Sequence, residues 1–178
     1  FGTPYIVTIR NTDLNFFFRY FLHLRSDARQ TLLRAEKIIF ISEAYRKRMI
    51  AHPYFSNCRE ELAAKSIVIP NGIDSYWLKN TIAKSRQVIQ KPARLLYVGK
   101  ISKGKNLLKL IKILVNLNKD GTKCILHIAG NGSGKYYKAV TDWIKKYPDL
   151  LVYHGAITDR VVLLSLYRNS DLFVMPSR

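Results

Sequence analysis

Apolar positions along this chain fall into two alternating kinds of run. Short segments rich in β-branched residues and leucine are followed by longer stretches with an apolar side chain every three or four positions, the signatures of buried strands and amphipathic helices. Pro4-Tyr5-Ile6-Val7-Thr8-Ile9 predicts a strand that ends in the polar turn Arg10-Asn11-Thr12-Asp13. From Leu14 to about Arg34 the spacing predicts one helix, with Phe17, Phe21, Leu22, Leu32 and Leu33 among its apolar positions and arginines interspersed. Lys37 to Ile41 predicts a second strand, and Ser42 the N-cap of a helix from Glu43 to about Ile50. His52 to Asn57 is expected as loop and Glu60 to Ala64 as a helical turn. Ser66 to Ile69 makes a third strand, closed by the turn Pro70-Asn71-Gly72-Ile73-Asp74.

Residues 75–93 are polar and basic, with Pro92 near their end, and read as a connection. The expected division is a first domain at 1–82, a linker at 83–93 and a second domain at 94–178. Within the second, strand 94–98 leads to a helix at 105–118 whose Leu107, Leu110, Ile111, Leu114 and Leu117 share one face, while Lys109 and Lys112 read as solvated. Strand 124–129 ends at Gly130-Asn131-Gly132-Ser133-Gly134, followed by helix 135–147, strand 150–154, helix 159–169 capped by Thr158, and strand 171–175. Strands alternating with helices predict an α/β fold with a parallel sheet wound on both faces.

Charge sharpens this picture. The 178 residues carry a formal net charge of +18. Of this, +13 belongs to residues 83–178, which contain no glutamate. Such a field favours phosphate-rich partners: nucleotides, nucleic acid or an anionic membrane surface. No stretch approaches the roughly 18 uncharged apolar residues of a membrane span. The two cysteines, Cys58 and Cys124, fall in different predicted domains, which suits free thiols in a reducing compartment. The histidines 23, 52, 127 and 154 are scattered, with His127 expected as a satisfied core residue, so no metal site is predicted.

The stretch Leu95 to Asn106 places Gly99, Lys100 and Lys105 between a strand and a helix, at the carboxyl end of that strand. Ligands of open α/β sheets bind there. A helix start with unpaired N–H groups suits an anion such as a diphosphate, and two lysines could add charge-assisted bonds. Spacing alone equally allows two solvated loop lysines. The Gly130 loop fails as a dinucleotide fingerprint, because Lys135 stands where the third glycine belongs. It also fails as a phosphate loop, because Ala129 and Tyr136 replace the first glycine and the hydroxyl residue. What survives is a glycine turn through which backbone could approach a ligand closely, or a plain strand-to-helix turn.

Five blocks in register carry a resemblance. Ile69-Pro70-Asn71-Gly72-Ile73-Asp74, Leu95-Leu96-Tyr97-Val98-Gly99-Lys100 with Lys105, Ile128-Ala129-Gly130-Asn131-Gly132, His154-Gly155-Ala156, and Leu166-Tyr167 through Ser170-Asp171-Leu172-Phe173-Val174-Met175-Pro176-Ser177 together resemble the retaining nucleotide-sugar glycosyltransferases of family four. The resemblance implies the GT-B fold, with the later part of an acceptor-side Rossmann-like domain and most of a donor domain. It implies that Gly99, Lys100 and Lys105 bind the donor diphosphate, with Lys100 where the family usually has arginine. It also implies nucleotide contacts by Gly130, Gly132, Ala156 and Ile157, and acceptor-side roles for Arg10, Asn11 and Asp13, with Arg10 where the family often has histidine. No metal or cofactor is implied, the nucleotide sugar (a UDP- or GDP-sugar) being the donor substrate and a glycan or lipid-linked molecule the acceptor.

The family's pair of glutamates would begin just beyond Ser177, and the first strand and glycine-rich loop of its acceptor domain are missing. The expectation is therefore an internal segment of a glycosyltransferase with little turnover by itself. Envelope, capsule or lipopolysaccharide synthesis is the expected setting, in the cytoplasm or peripherally on the inner face of the plasma membrane. Two other readings stay open on the residues: an inactive remnant that binds nucleotide or membrane, and a basic nucleic-acid-binding module, which lacks any recognisable helix-turn-helix, RNA-binding or zinc pattern.

Overall fold

The computed structural model describes residues 2–10, 13–80 and 91–177. The chain divides into two compact units, Phe1–Ala83 and Lys84–Arg178. Both are α/β with parallel sheets.

In the first unit β1 (Ile6–Ile9), β2 (Lys37–Phe40) and β3 (Ser66–Val68) pair in parallel in the order β1-β2-β3. Ile9, Ile38 and Phe40 bury against Phe18, Leu32, Met49, Phe55 and Leu62. The single helix expected from Leu14 to Arg34 is instead broken. A π-type turn (Asp13–Phe17) runs into the short α1 (Phe18–Tyr20), then a 3-10 turn (Leu22–Leu24), then α2 (Arg25–Arg34). The break at Phe21 has a local cause. The Arg25 guanidinium donates to the Phe18 carbonyl at 2.8 Å, which a continuing helix would offer to the amide four residues on. Phe18 is thereby buried while Phe16 stays 52% exposed.

Helix α3 (Glu43–Ile50) starts where expected, with the Ser42 hydroxyl accepting from the Tyr45 amide. Residues expected as loop form a 3-10 turn, Pro53–Cys58, capped by His52, and α4 (Arg59–Ala64) follows. The polar connection also begins later than expected. Ser75–Lys79 is α5, capped by the Asp74 carboxylate, which accepts from the Tyr76 amide at 2.9 Å. Most of the proposed linker, residues 83–90, lies outside the described residues, and Ala93 already belongs to β4.

In the second unit β4 (Ala93–Val98), β5 (Cys124–Ala129), β6 (Leu151–Gly155) and β7 (Leu172–Phe173) form a parallel sheet in the order β6-β5-β4-β7. The chain winds outward from β4 through α6 (Leu107–Lys119) and α7 (Gly134–Lys146), then returns through α8 (Arg160–Arg168) to the opposite side of β4. Right-handed crossovers place α6 and α7 on one face and α8 on the other. Leu107, Ile111, Leu114 and Val115 of α6 bury against Tyr97, Leu126, Ile128 and Val140, each apolar side chain stabilising by about 1.5–3 kcal/mol. Leu117, expected on that face, is 41% exposed.

Two boundaries shift for electrostatic reasons. Asp159, not Thr158, caps α8, because its carboxylate accepts from both the Val161 and Val162 amides, at 2.7 and 3.3 Å. The last strand shortens to two residues, with Asp171 turning its carboxylate onto the Arg94 amide at 2.7 Å.

Candidate functional site

The strand order reverses at β4, which pairs with β5 on one side and β7 on the other. Such a reversal point, at the carboxyl edge of a parallel sheet, is where open α/β folds take ligands. Gly99 and Lys100 follow β4 there, Gly130 follows β5, Ala156 and Ile157 follow β6, and Pro176 and Ser177 lie past β7. The sequence-predicted donor residues of the second unit are thus brought to one edge.

The loops after β4 and β5 are bound backbone to backbone. The Gly99 amide donates to the Ala129 carbonyl at 3.0 Å and the Ile101 amide to the Asn131 carbonyl at 2.8 Å, and Ile101 forms a parallel bridge with Gly132. The Gly130 amide in turn donates to the Gly155 carbonyl at 2.7 Å, joining the third loop. This contact explains two glycines. A Cβ on Gly130, whose φ is +147°, would sit 2.0 Å from the Gly99 carbonyl oxygen, and one on Gly132 would sit 2.4 Å from that of Ile101. The space these residues leave empty is filled by the neighbouring loop, which is a different requirement from the close ligand approach suggested by the sequence.

Tyrosines brace the same edge from below. The buried Tyr97 hydroxyl donates to the Lys100 carbonyl at 2.9 Å, and burial, followed by the nearby Tyr136, raises its pKa. The Tyr153 hydroxyl donates to the Gly130 carbonyl at 3.0 Å and lies 3.1 Å from that of Tyr137. Burial first, then the hydrogen bond to Tyr137, pushes the Tyr153 phenol up to about 12. These hydroxyls therefore stay protonated and hold the loops by donating to carbonyls.

The start of α6 differs from the open anion cradle that the sequence suggested. Lys105 lies in a 3-10 turn, Lys103–Lys105, and α6 begins after Asn106, which adopts the left-handed conformation (φ +53°). The Leu108 amide donates to the Tyr136 hydroxyl at 2.9 Å. The Lys109 and Leu110 amides donate to the Asn106 carbonyl. Most first-turn donors are thus satisfied internally, and positive charge at this edge rests on side chains. Lys100 is exposed and Lys105 half-buried. Among the described residues the ion pairs are Arg46–Glu43, Lys65–Glu61 and Lys138–Asp142, so no carboxylate neutralises either lysine.

In the first unit, Arg10 and Asp13 form a turn: the Arg10 amide donates to the Asp13 carboxylate at 2.7 Å, and the Asp13 amide returns to the Arg10 carbonyl. The Asp13 carboxylate is occupied in holding this turn, while the Arg10 side chain is exposed. Asn11 lies outside the described residues. A depression of about 990 Å³ lined by Thr3, Asp27, Thr31 and Glu36 sits at the amino end of β1 and β2, the edge that α/β sheets do not use for ligands.

One cluster escaped the sequence. His127, expected in the core, is half-buried on β5, and its Nδ1 lies 3.0 Å from Nε2 of His154 on β6, the rings nearly parallel. Burial lowers both pKa values, and for His127 the His154 and Arg94 side chains lower it further. The two are 27 positions apart, so only the strand register brings them together. Among the described residues no three His, Cys, Asp or Glu side chains gather as metal ligands, and no helix is long and apolar enough to cross a membrane.

The family model described as Glycosyl transferases group 1 matches residues 79–178. No curated protein matches the chain. Among solved structures, a variant of S. aureus TarM in complex with fondaparinux, alpha-GlcNAc-glycerol and UDP is 17% identical, with a TM-score of 0.63, over 98% of this chain and 32% of its own. A glycosyltransferase from Rickettsia africae is 16% identical, with a TM-score of 0.61, over 97% of this chain and 45% of its own. The pneumococcal O-GlcNAc transferase GtfA, in complex with UDP and GlcNAc, is 17% identical, with a TM-score of 0.57, over 88% of this chain and 28% of its own. At these identities the likeness is one of fold, that of part of a GT-B glycosyltransferase. The chain spans less than half the length of each of these three structures.

Proposed function

Because the chain belongs to the glycosyl transferases group 1 family, through the match over residues 79–178, we propose that it is part of an enzyme that moves a sugar from a nucleotide diphosphate donor to a glycan or lipid-linked acceptor. Transfer with retention at the sugar carbon and without a metal ion is the form the family resemblance favours. The observation that carries the proposal is the placement of Gly99, Lys100 and Lys105 at the carboxyl edge where the sheet order reverses, with both lysines unpaired by any described carboxylate.

The chemistry fits that placement. Cleaving the bond between the sugar carbon and the diphosphate oxygen leaves the bonding pair on that oxygen. Fixed cations beside it stabilise the charge as it develops. Lys100 and Lys105 take this role, while Gly130 and Gly132 hold the adjoining loop, and the Ala156–Ile157 backbone faces the base. Arg10, Asn11 and Asp13 are proposed on the acceptor side. A lipid-linked acceptor, as in envelope, lipopolysaccharide or capsule synthesis, would bring the protein to the inner face of a plasma membrane.

The test is calorimetric titration of UDP, GDP and ADP into the wild-type chain and a Lys100→Ala, Lys105→Ala double variant. A charge-assisted bond contributes roughly 1.5–3 kcal/mol. Both lysines keep solvent contact, so the lower bound applies and the double variant should bind about 100-fold more weakly. Equal affinity for both proteins would remove the assigned role.

A further inference from the structure

Most of the second unit's lysines outside the nucleotide edge lie on two helices. Helices α6 and α7 together carry seven lysines and one aspartate, Asp142. That aspartate is paired with Lys138 at 3.2 Å. The apolar stripes of both helices are turned to the sheet, through Leu107, Ile111 and Leu114 on α6 and Val140 on α7. At 3.6 residues per turn the lysines must then share the outer side. Lys109 and Lys112 on α6 and Lys135, Lys145 and Lys146 on α7 are all exposed.

The seam between the helices is aromatic and already holds cations from both sides. The Lys112 ammonium lies 5.9 Å from the Trp143 ring centre and that of Lys146 lies 6.0 Å from it. Tyr147 stacks on Trp143 at 5.5 Å. Beyond the lysines, on the outer flank of α6, Ile113 and Leu117 are 48% and 41% exposed. The result is one continuous strip: aliphatic, then basic, then aromatic, then basic.

We propose that this α6–α7 face is a docking surface for an anionic phospholipid bilayer. Two helices packed side by side on a sheet present a broad basic face, which suits a headgroup plane. The cations are all lysines, point charges that attract phosphates without the planar fork that arginine uses for bidentate recognition. Ile113 and Leu117 gain from a headgroup–acyl boundary, and they gain nothing from a phosphodiester backbone. The surface is separate from Lys100 and Lys105, so it stands or falls independently of the nucleotide assignment.

The experiment is co-sedimentation of the 178-residue chain with vesicles of phosphatidylcholine alone and of phosphatidylcholine mixed with phosphatidylglycerol. Binding is expected to the mixed vesicles only, and to fade as added salt shortens the screening length. Each lysine near such a surface contributes about 1 kcal/mol, or roughly fivefold. The quadruple variant Lys109→Gln, Lys112→Gln, Lys145→Gln, Lys146→Gln should therefore partition several hundredfold less.

Neutralising Lys37, Lys47, Arg48 and Lys79, exposed on the first unit, removes the same net charge without touching the α6–α7 face and should change partition by less than about threefold, since charges off the contacting face are screened. An equal loss in both variants would overturn the proposal in favour of a net-charge effect. Ile113→Ser with Leu117→Ser should weaken vesicle binding severalfold and leave binding to a mixed-sequence DNA duplex unchanged. A wild-type chain that prefers the duplex, with the serine variant unchanged on both, would overturn the bilayer in favour of nucleic acid. Retained vesicle binding by the quadruple variant would overturn the face itself.

Discussion

Replacing Gly130 by alanine tests whether the edge is built by backbone interlock. The added Cβ would lie 2.0 Å from the Gly99 carbonyl oxygen and 2.9 Å from its carbon. A normal contact needs roughly 3.5 Å, so the two loops would have to part by about 1.5 Å. Backbone cannot swing aside as the tip of a lysine can. Separation on that scale breaks the Gly99–Ala129 and Ile101–Asn131 hydrogen bonds, at 3.0 and 2.8 Å. Each contributes about 0.5–1.5 kcal/mol net. Holding alanine at φ +147° adds a further 1–3 kcal/mol of the kind stored in strained backbone.

The sum is about 2–6 kcal/mol, a large share of the roughly 5–15 kcal/mol that holds a domain folded. Thermal unfolding followed by circular dichroism should show it. For a unit of this size each kcal/mol moves Tm by about 4–8 °C, so a drop of at least ~8 °C is expected. Gly104→Ala is the control, because a Cβ there meets nothing within 4 Å. A Gly130→Ala protein that melts within about 2 °C of wild type would refute the interlock.

The Asn118 side chain donates to the Leu114 and Cys124 carbonyls at 3.0 and 2.9 Å and accepts from the Cys124 amide at 3.2 Å. Asn118→Ala takes this partner from the part-buried Cys124 amide and carbonyl and should cost about 1–3 kcal/mol, read as a lower urea midpoint; an unchanged midpoint would show that water replaces the amide. Burial raises the pKa of the Cys124 thiol and Asn118 only partly offsets this, so Cys124 should react sluggishly with thiol reagents until the protein unfolds, and prompt labelling of the folded chain would contradict its burial. The lowered pKa values of His127 and His154 mean that the unfolded chain binds more protons just below the ordinary value of 6.5. Stability is then intact above 6.5 and declines as pH falls below it through the folded-state values. A His127→Gln, His154→Gln variant should flatten that decline in unfolding experiments across pH; an identical slope would show that other groups set it.

Much of the second unit was legible because its strands are short apolar runs and its helices have one apolar stripe, patterns fixed by covalent periodicity. Lys100 and Lys105 were legible for the same reason, since a polar turn between such runs must lie at a sheet edge. The first unit resisted in its helix. Three successive phenylalanines at 16–18 satisfy helical spacing, yet an arginine seven residues away takes the carbonyl the helix needs. The caps at Asp159 and Asp74 shifted boundaries by the reach of a carboxylate, which period counting does not see.

The primary structure alone determined the order of strands and helices, the basic excess of the second half, and the placement of glycines and lysines after strands. These depend on neighbours within about a helical turn. Tertiary structure decided which partners those residues meet. Gly130 faces Gly99, not open space; the α6 amides are taken by Tyr136 and Asn106; His127 touches His154; and the lysines of two helices merge around Trp143. Each pairing joins positions brought together by sheet register or helix packing, and a single chain segment carries no record of the distance to a partner it reaches only after folding.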